Sequence, residues 1–242
     1  MANFRGRSVR VFARGAGGNV TPVRSVEGPE TRFGTYPPGG LAVGADDSVF
    51  VYGGDPFGGT RGCSSSRRVR AETWHPVRLI AGPLTRLRGG GGVAVDRVGS
   101  VVVATPDDRV LVFARDASGN VAPVREIYGD LTLLAWPMGV AVDDTLRIYV
   151  ANYLVSRIIV YAAAANGNVG PERVIEGPDT WLDGPVDIAV DRAGRLYVTN
   201  CSAIGDASVT VYAADATGNA RPLRRIAGRR AENPCGWLAV RE

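Results

Sequence analysis

Asparagine, aspartate and aromatic side chains recur in this sequence where they could meet a ligand. Asn3, Asn152 and Asn200 each close a β-rich run, as in Ile148-Tyr149-Val150-Ala151-Asn152 and Leu196-Tyr197-Val198-Thr199-Asn200. Tyr36, Trp136, Trp181 and Asp183 lie in the loops leading to small aliphatic runs, and Asp187 and Trp237 stand at the starts of such runs. Amide and carboxylate oxygens beside planar rings can hold a planar ligand, a sugar or a peptide by hydrogen bonding and stacking. Catalysis finds less support. Asp96, Asp143 and Asp191 follow the aliphatic runs like a carboxylate ring, but each leads into a turn, where an aspartate satisfies local backbone donors. His75 is the single histidine, so chemistry that needs paired imidazoles is excluded. Cys63, Cys201 and Cys235 have neither a metal-ligand spacing nor a disulfide framework. No catalytic residue and no metal ligand is assigned.

These residues are placed by a repeat. The string Gly-Asn-Val, then Pro, Arg and Gly, begins at Gly18, Gly119, Gly167 and, without the Val, at Gly218; a degenerate copy ends in Pro76-Val77-Arg78-Leu79-Ile80-Ala81-Gly82. Its prolines, at 22, 76, 123, 171 and 222, are separated by 54, 47, 48 and 51 residues. A period of this length is the mark of a repeat architecture. After each copy comes a run such as Val93-Ala94-Val95-Asp96 or Val140-Ala141-Val142-Asp143, then a second β-rich run, then a third such as Arg157–Tyr161. The Gly-Asn turn leads into the fourth. Each unit therefore reads as four short strands joined by turns with φ > 0 positions, and radial repetition of such units predicts an all-β propeller of five blades of roughly 50 residues. Arg24, Arg78, Arg125, Arg173 and Arg224 recur in the fourth strand, where a charged edge discourages strand addition by another chain.

The strings PMGVAVDDTLRIYVANYLVSRIIVYAAAANGN and GPVDIAVDRAGRLYVTN resemble the NHL-repeat family of β-propellers, and the resemblance spans essentially the whole chain. It implies that the Ala-Val-Asp strand is innermost in each blade and the Pro-x-Arg strand outermost. It also implies an interaction or sensor module, here a non-enzymatic scaffold binding a protein, a peptide or a small polar ligand at the mouth of the central channel. The enzymatic alternative is a metal-dependent lactonase, similar to gluconolactonases in fold. The ligand steps of that family read Pro137-Met138-Gly139, Pro185-Val186-Asp187 and Pro234-Cys235-Gly236 here, and neither Met nor Val ligates a hard cation. No cofactor is expected; a divalent cation enters only with the lactonase alternative.

The register treats residues 1–242 as one domain, with a blade split between 1–38 and 229–242 and about five residues short of closure by comparison with the other repeats. The chain is expected to be a monomer unless another chain completes that blade, and a second alternative to the scaffold reading is a truncated fragment of a larger secreted or sensor propeller protein. Residues 61–76 break the pattern, as a compensated frameshift would, and the expected third strand is replaced there. Cys201 and Cys235 fall in loops on the same end of adjacent blades, near enough for a disulfide to be considered. All 28 basic residues are arginine, with no lysine, which fits a GC-rich bacterial genome. Acidic residues are interspersed, so no nucleic-acid partner is expected. Met1–Arg10 has no apolar leader core and no stretch approaches bilayer length, so no membrane partner is expected and the compartment is unassigned.

Overall fold

The computed structural model describes residues 2–3, 8–11, 21–27, 31, 38–44, 48–54, 61–66, 76–201 and 207–227. Apart from short 3-10 turns, the described elements are all strands. β1 (Ala2–Asn3), β2 (Ser8–Val11) and β3 (Arg24–Val26) form the first sheet. β4 (Pro38–Val43), β5 (Val49–Gly54), β6 (Arg61–Ser66) and β7 (Arg78–Ile80) form the second. The third comprises β8 (Val93–Val95), β9 (Val101–Thr105), β10 (Arg109–Phe113) and β11 (Arg125–Tyr128). The fourth comprises β12 (Pro137–Val142), β13 (Ile148–Asn152), β14 (Arg157–Tyr161) and β15 (Arg173–Ile175). β16 (Pro185–Val190), β17 (Leu196–Asn200), β18 (Ser208–Tyr212) and β19 (Arg224–Ala227) make the fifth. Every sheet is antiparallel, with its strands side by side in chain order.

The first sheet keeps the register of the others. Ala2 pairs with Val9 and Asn3 with Ser8, as Ala151 pairs with Ile158 and Asn152 with Arg157. The 229–242 segment assigned to this unit lies outside the described residues. Arg61–Ser66 requires a correction: the sequence suggested that the third strand is lost there, yet β6 pairs with both β5 and β7, Cys63 opposite Tyr52 and Ile80. Ladder hydrogen bonds are made by the backbone, so two well-formed neighbours can impose a strand on a segment that lacks the usual apolar side chains.

Successive sheets pack face to face. Tyr52, Val93, Val103 and Leu111 share one core cluster; Val102, Val112, Val150 and Tyr161 a second; and Tyr149, Ile158, Val198 and Tyr212 a third. Each cluster thus takes one face from each of two consecutive sheets. The first strands of the sheets also meet, β4 against β8, β8 against β12 and β12 against β16. Their backbones come close at Gly92 and Gly139. A Cβ on Gly92 would lie 2.8 Å from the Val140 nitrogen, and one on Gly139 would lie 2.6 Å from the Asp187 Cα, so only glycine lets these backbones converge.

The repeated Gly-Asn step proves to be a joint between sheets. Gly167 donates its N–H to Glu126 O at 2.6 Å and accepts from Tyr128 N at 3.2 Å, a parallel bridge onto the outer strand of the preceding sheet. Gly119 and Gly218 bridge to Ile80 and Ile175 in the same way. The next residue locks the turn down: the Oδ1 atoms of Asn120, Asn168 and Asn219 each accept a backbone N–H, from Leu84, Leu131 and Asp179, all at 2.8 Å. The repeated arginines complete the joint. Arg125 donates to Ala163 O and Ala165 O at 2.6 and 3.1 Å, and Arg173 to Ala214 O and Ala216 O at 2.7 and 3.3 Å. Arg78 reaches Arg115 O. These side chains are therefore turned onto the next repeat rather than standing free as edge charges. Ile80, Ile127 and Ile175 are buried beneath the joints, whereas Ile226 is 54% exposed.

Asn168→Ala removes one neutral hydrogen bond and is expected to lower unfolding stability by about 1 kcal/mol in urea. Gly129→Ala should cost more than about 1 kcal/mol, because Gly129 has φ 105° and an added Cβ would lie 2.7 Å from the Asn168 side chain.

Candidate functional site

The loops joining second to third strands and those joining fourth to next first strands emerge at one end of the sheets, as antiparallel order requires. Asn152 and Asn200 sit there but are fully buried. The Asn152 Oδ1 accepts Ala135 N–H at 3.2 Å, and its Nδ2 donates to Leu133 O at 3.2 Å. The Asn200 Oδ1 accepts Asp183 N–H at 3.1 Å, and its Nδ2 donates to Thr210 Oγ1 at 3.1 Å and Val198 O at 3.4 Å. Both carboxamides pin the incoming loop to the sheet. Asn3 closes β1 at the same register position, opposite Ser8.

Trp136 is different. It stands immediately before Pro137 with φ 52°, where the equivalent residues of adjacent repeats are Gly89, φ 65°, and Gly184, φ 56°. Its N–H donates to Asp108 Oδ1 at 2.7 Å, and its carbonyl accepts Tyr153 N–H at 3.1 Å. Gly184 makes the same pair of bonds, to Ser156 Oγ at 3.1 Å and from Cys201 N at 2.9 Å. The backbone role is thus filled equally well by glycine. A side chain in the left-handed region costs roughly 1 kcal/mol. The indole is 48% exposed and lies against Tyr153, ring centroids 6.5 Å apart at 59°. Sequence reasoning found Trp136 but missed Tyr153, Asp108 and Ser156. The signal was a spacing: Asp108 and Ser156 both precede the residue they bind by 28 positions.

Trp181 occupies another position in its repeat, the left-handed residue that ends the 3-10 turn Pro178–Thr180, equivalent to Leu133 after Asp130–Thr132. It is 51% exposed with the Arg225 guanidinium 5.6 Å from its ring centroid. Asp183 is exposed. Asp187 is buried at the start of β16, opposite Thr199, whose buried hydroxyl has no hydrogen-bond partner. With both Asn152 and Asn200 oxygens accepting backbone N–H groups, these residues do not offer an open oxygen set beside Asp187. Among the described residues no group of three or more His, Cys, Asp or Glu is placed to hold a metal ion. Tyr36, Trp237, His75 and Cys235 lie outside the described residues. Cys201 is disulfide-bonded.

The three aspartates after the first strands of their sheets are turn residues, as their sequence context predicts. Asp96 Oδ1 accepts Val98 and Ser100 N–H. Asp143 gathers Thr145, Arg147 and the Tyr149 hydroxyl, and Asp191 gathers Arg195 and the Tyr197 hydroxyl. Burial pushes the Asp143 carboxyl up, but the hydrogen bonds from Thr145, Tyr149 and Arg147 outweigh it and hold the group below its usual value. The Tyr149 hydroxyl is pushed up to about 12, by burial first and by Asp143 second.

No family model matches this chain, and no curated protein matches it. A total of 452 solved chains resemble its fold, among them a protein of unknown function from Bacteroides caccae, with TM-score 0.54 and 12% identity. The alignment covers 79% of this chain and 61% of that one, so the present chain spans less than two thirds of its length. At such low identity the likeness carries the fold alone.

A carboxylate depressed in the folded state contributes stability that is present above its unfolded pKa, about 3.9, and is lost as pH falls through the folded value. The melting-temperature gap between the natural protein and Asp143→Asn is therefore expected to be full near pH 6 and to narrow steadily below about pH 4.

Proposed function

We propose that the chain is a non-enzymatic β-propeller of NHL type that binds a protein or peptide at the end of the sheets carrying Trp136. The observation that carries this reading is Trp136 itself, an exposed ring held in a strained backbone conformation at a position whose structural work Gly184 performs in the next repeat. The propeller assignment is supported by sheets that follow chain order, with first strands meeting in series and faces packed in pairs. Rigid sheets displaying ligand-contacting side chains on loops are a common way to build a binding face. The lactonase alternative receives no such support, because Asn152 and Asn200 are committed to loop backbone.

A second reading, a small polar ligand at the channel mouth, is favoured by one observation, the unpaired Thr199 hydroxyl opposite Asp187. The two readings part on Thr199→Val. Removing an unsatisfied buried hydroxyl with little change of shape should raise stability by about 1 kcal/mol, and under the protein-binding reading it alters nothing else. If the variant instead abolishes tryptophan-fluorescence changes seen on titrating simple sugars, the small-ligand reading replaces it. Aldonolactone hydrolysis, assayed with added Mn²⁺, Ca²⁺ or Zn²⁺, is expected to match the buffer rate. Turnover that EDTA abolishes would establish the enzyme instead.

A further inference from the structure

Trp136 does not stand alone on its end of the fourth sheet. Tyr153 flanks it, and the hairpin joining β13 to β14 continues with Leu154, 65% exposed, and Val155, 42% exposed. Leu133, 42% exposed, is tied to the same corner through its carbonyl, which accepts from Asn152. Such a group of exposed apolar side chains on tightly hydrogen-bonded hairpins is the usual form of an interaction patch.

Among the described residues, two exposed carboxylates stand at this corner. The exposed Asp108 carboxylate accepts the backbone N–H of Trp136. The exposed Asp183 directly precedes Gly184, whose Cβ position would fall 3.0 Å from the Tyr153 ring. Neighbouring arginines are already engaged: Arg157 with Glu176 at 2.5 Å, and Arg109 with Glu126 and, at 3.4 Å, Asp107. The corner thus combines an apolar floor with two carboxylates whose charge is not balanced by those cations.

Resting on the protein-binding reading above, we infer that the partner is a basic polypeptide segment, with an apolar side chain seated against Trp136 and Tyr153 and flanking Lys or Arg residues beside Asp108 and Asp183. Complementary charge then supplies orientation and partner choice, while ring contact supplies most of the affinity.

The test uses the full chain and three short fluorescein-labelled peptides with the same leucines and with Arg, Gln or Glu between them, followed by anisotropy. The Arg peptide should bind at least about tenfold more tightly than the Glu peptide, and added salt should weaken it. Trp136→Gly, which restores the residue of adjacent repeats, should keep or raise the melting temperature and weaken the Arg peptide at least about tenfold. Asp108→Asn keeps an acceptor for the Trp136 N–H and should reduce the preference for Arg over Glu.

Equal affinity for the Arg and Glu peptides overturns the basic partner while leaving the Trp136 corner as the site. Binding that survives Trp136→Gly unchanged overturns the corner itself, and with it the protein-binding reading. No binding of the Arg peptide, or preference for vesicles of phosphatidylglycerol and phosphatidylcholine over it, overturns the inference outright.

Discussion

The architecture depends on a joint made by two backbone hydrogen bonds and one side-chain amide. A sheet of this kind buries one face against the sheet before it and the other against the sheet after it, so neither face is covered without its neighbours. Apolar contact is non-directional and would let the sheets slide. The Gly-Asn step removes that freedom. Gly167 is zipped to the outer strand at Glu126 and Tyr128, Asn168 holds the Leu131 N–H, and Arg125 reaches forward to Ala163 and Ala165. Repeated at Gly119 and Gly218, the joint fixes the pitch from sheet to sheet.

Rigid pitch has a consequence at the loop end. A second set of bonds crosses between repeats there, from the hairpin residues Asp108 and Ser156 to the N–H groups of Trp136 and Gly184. Both crossings require a left-handed residue, which explains glycine in one repeat and makes tryptophan in the other costly. Because the same bonds form either way, the indole is not needed for the joint. Its exposure beside Tyr153, with carboxylates near, is what the proposed binding surface rests on.

Strands were the most legible part of the sequence. Runs rich in β-branched residues, recurring in units 47 to 54 residues long, marked every described sheet. What could not be read was the purpose of polar residues. Asn152 and Asn200 looked available to a ligand because a sequence does not show that loop N–H and C=O groups need partners, which these two residues supply. The repeated arginines looked like edge charges because their acceptors are carbonyls of the next repeat, roughly 40 residues away and with no side-chain signature. Arg61–Ser66 misled in the opposite direction, since its composition argued against a strand that backbone pairing on both sides nonetheless forms.

Native-state hydrogen exchange, read by NMR on the natural protein and on Asn168→Ala, tests the joint most directly. If the joint couples successive sheets, the Leu131, Tyr128 and Gly167 amides lose protection together in the variant, while those of β13 and β14, held within their own sheet, keep it. Unchanged protection at Tyr128 and Gly167 would contradict the account, because the turn would then be held by packing and not by the asparagine.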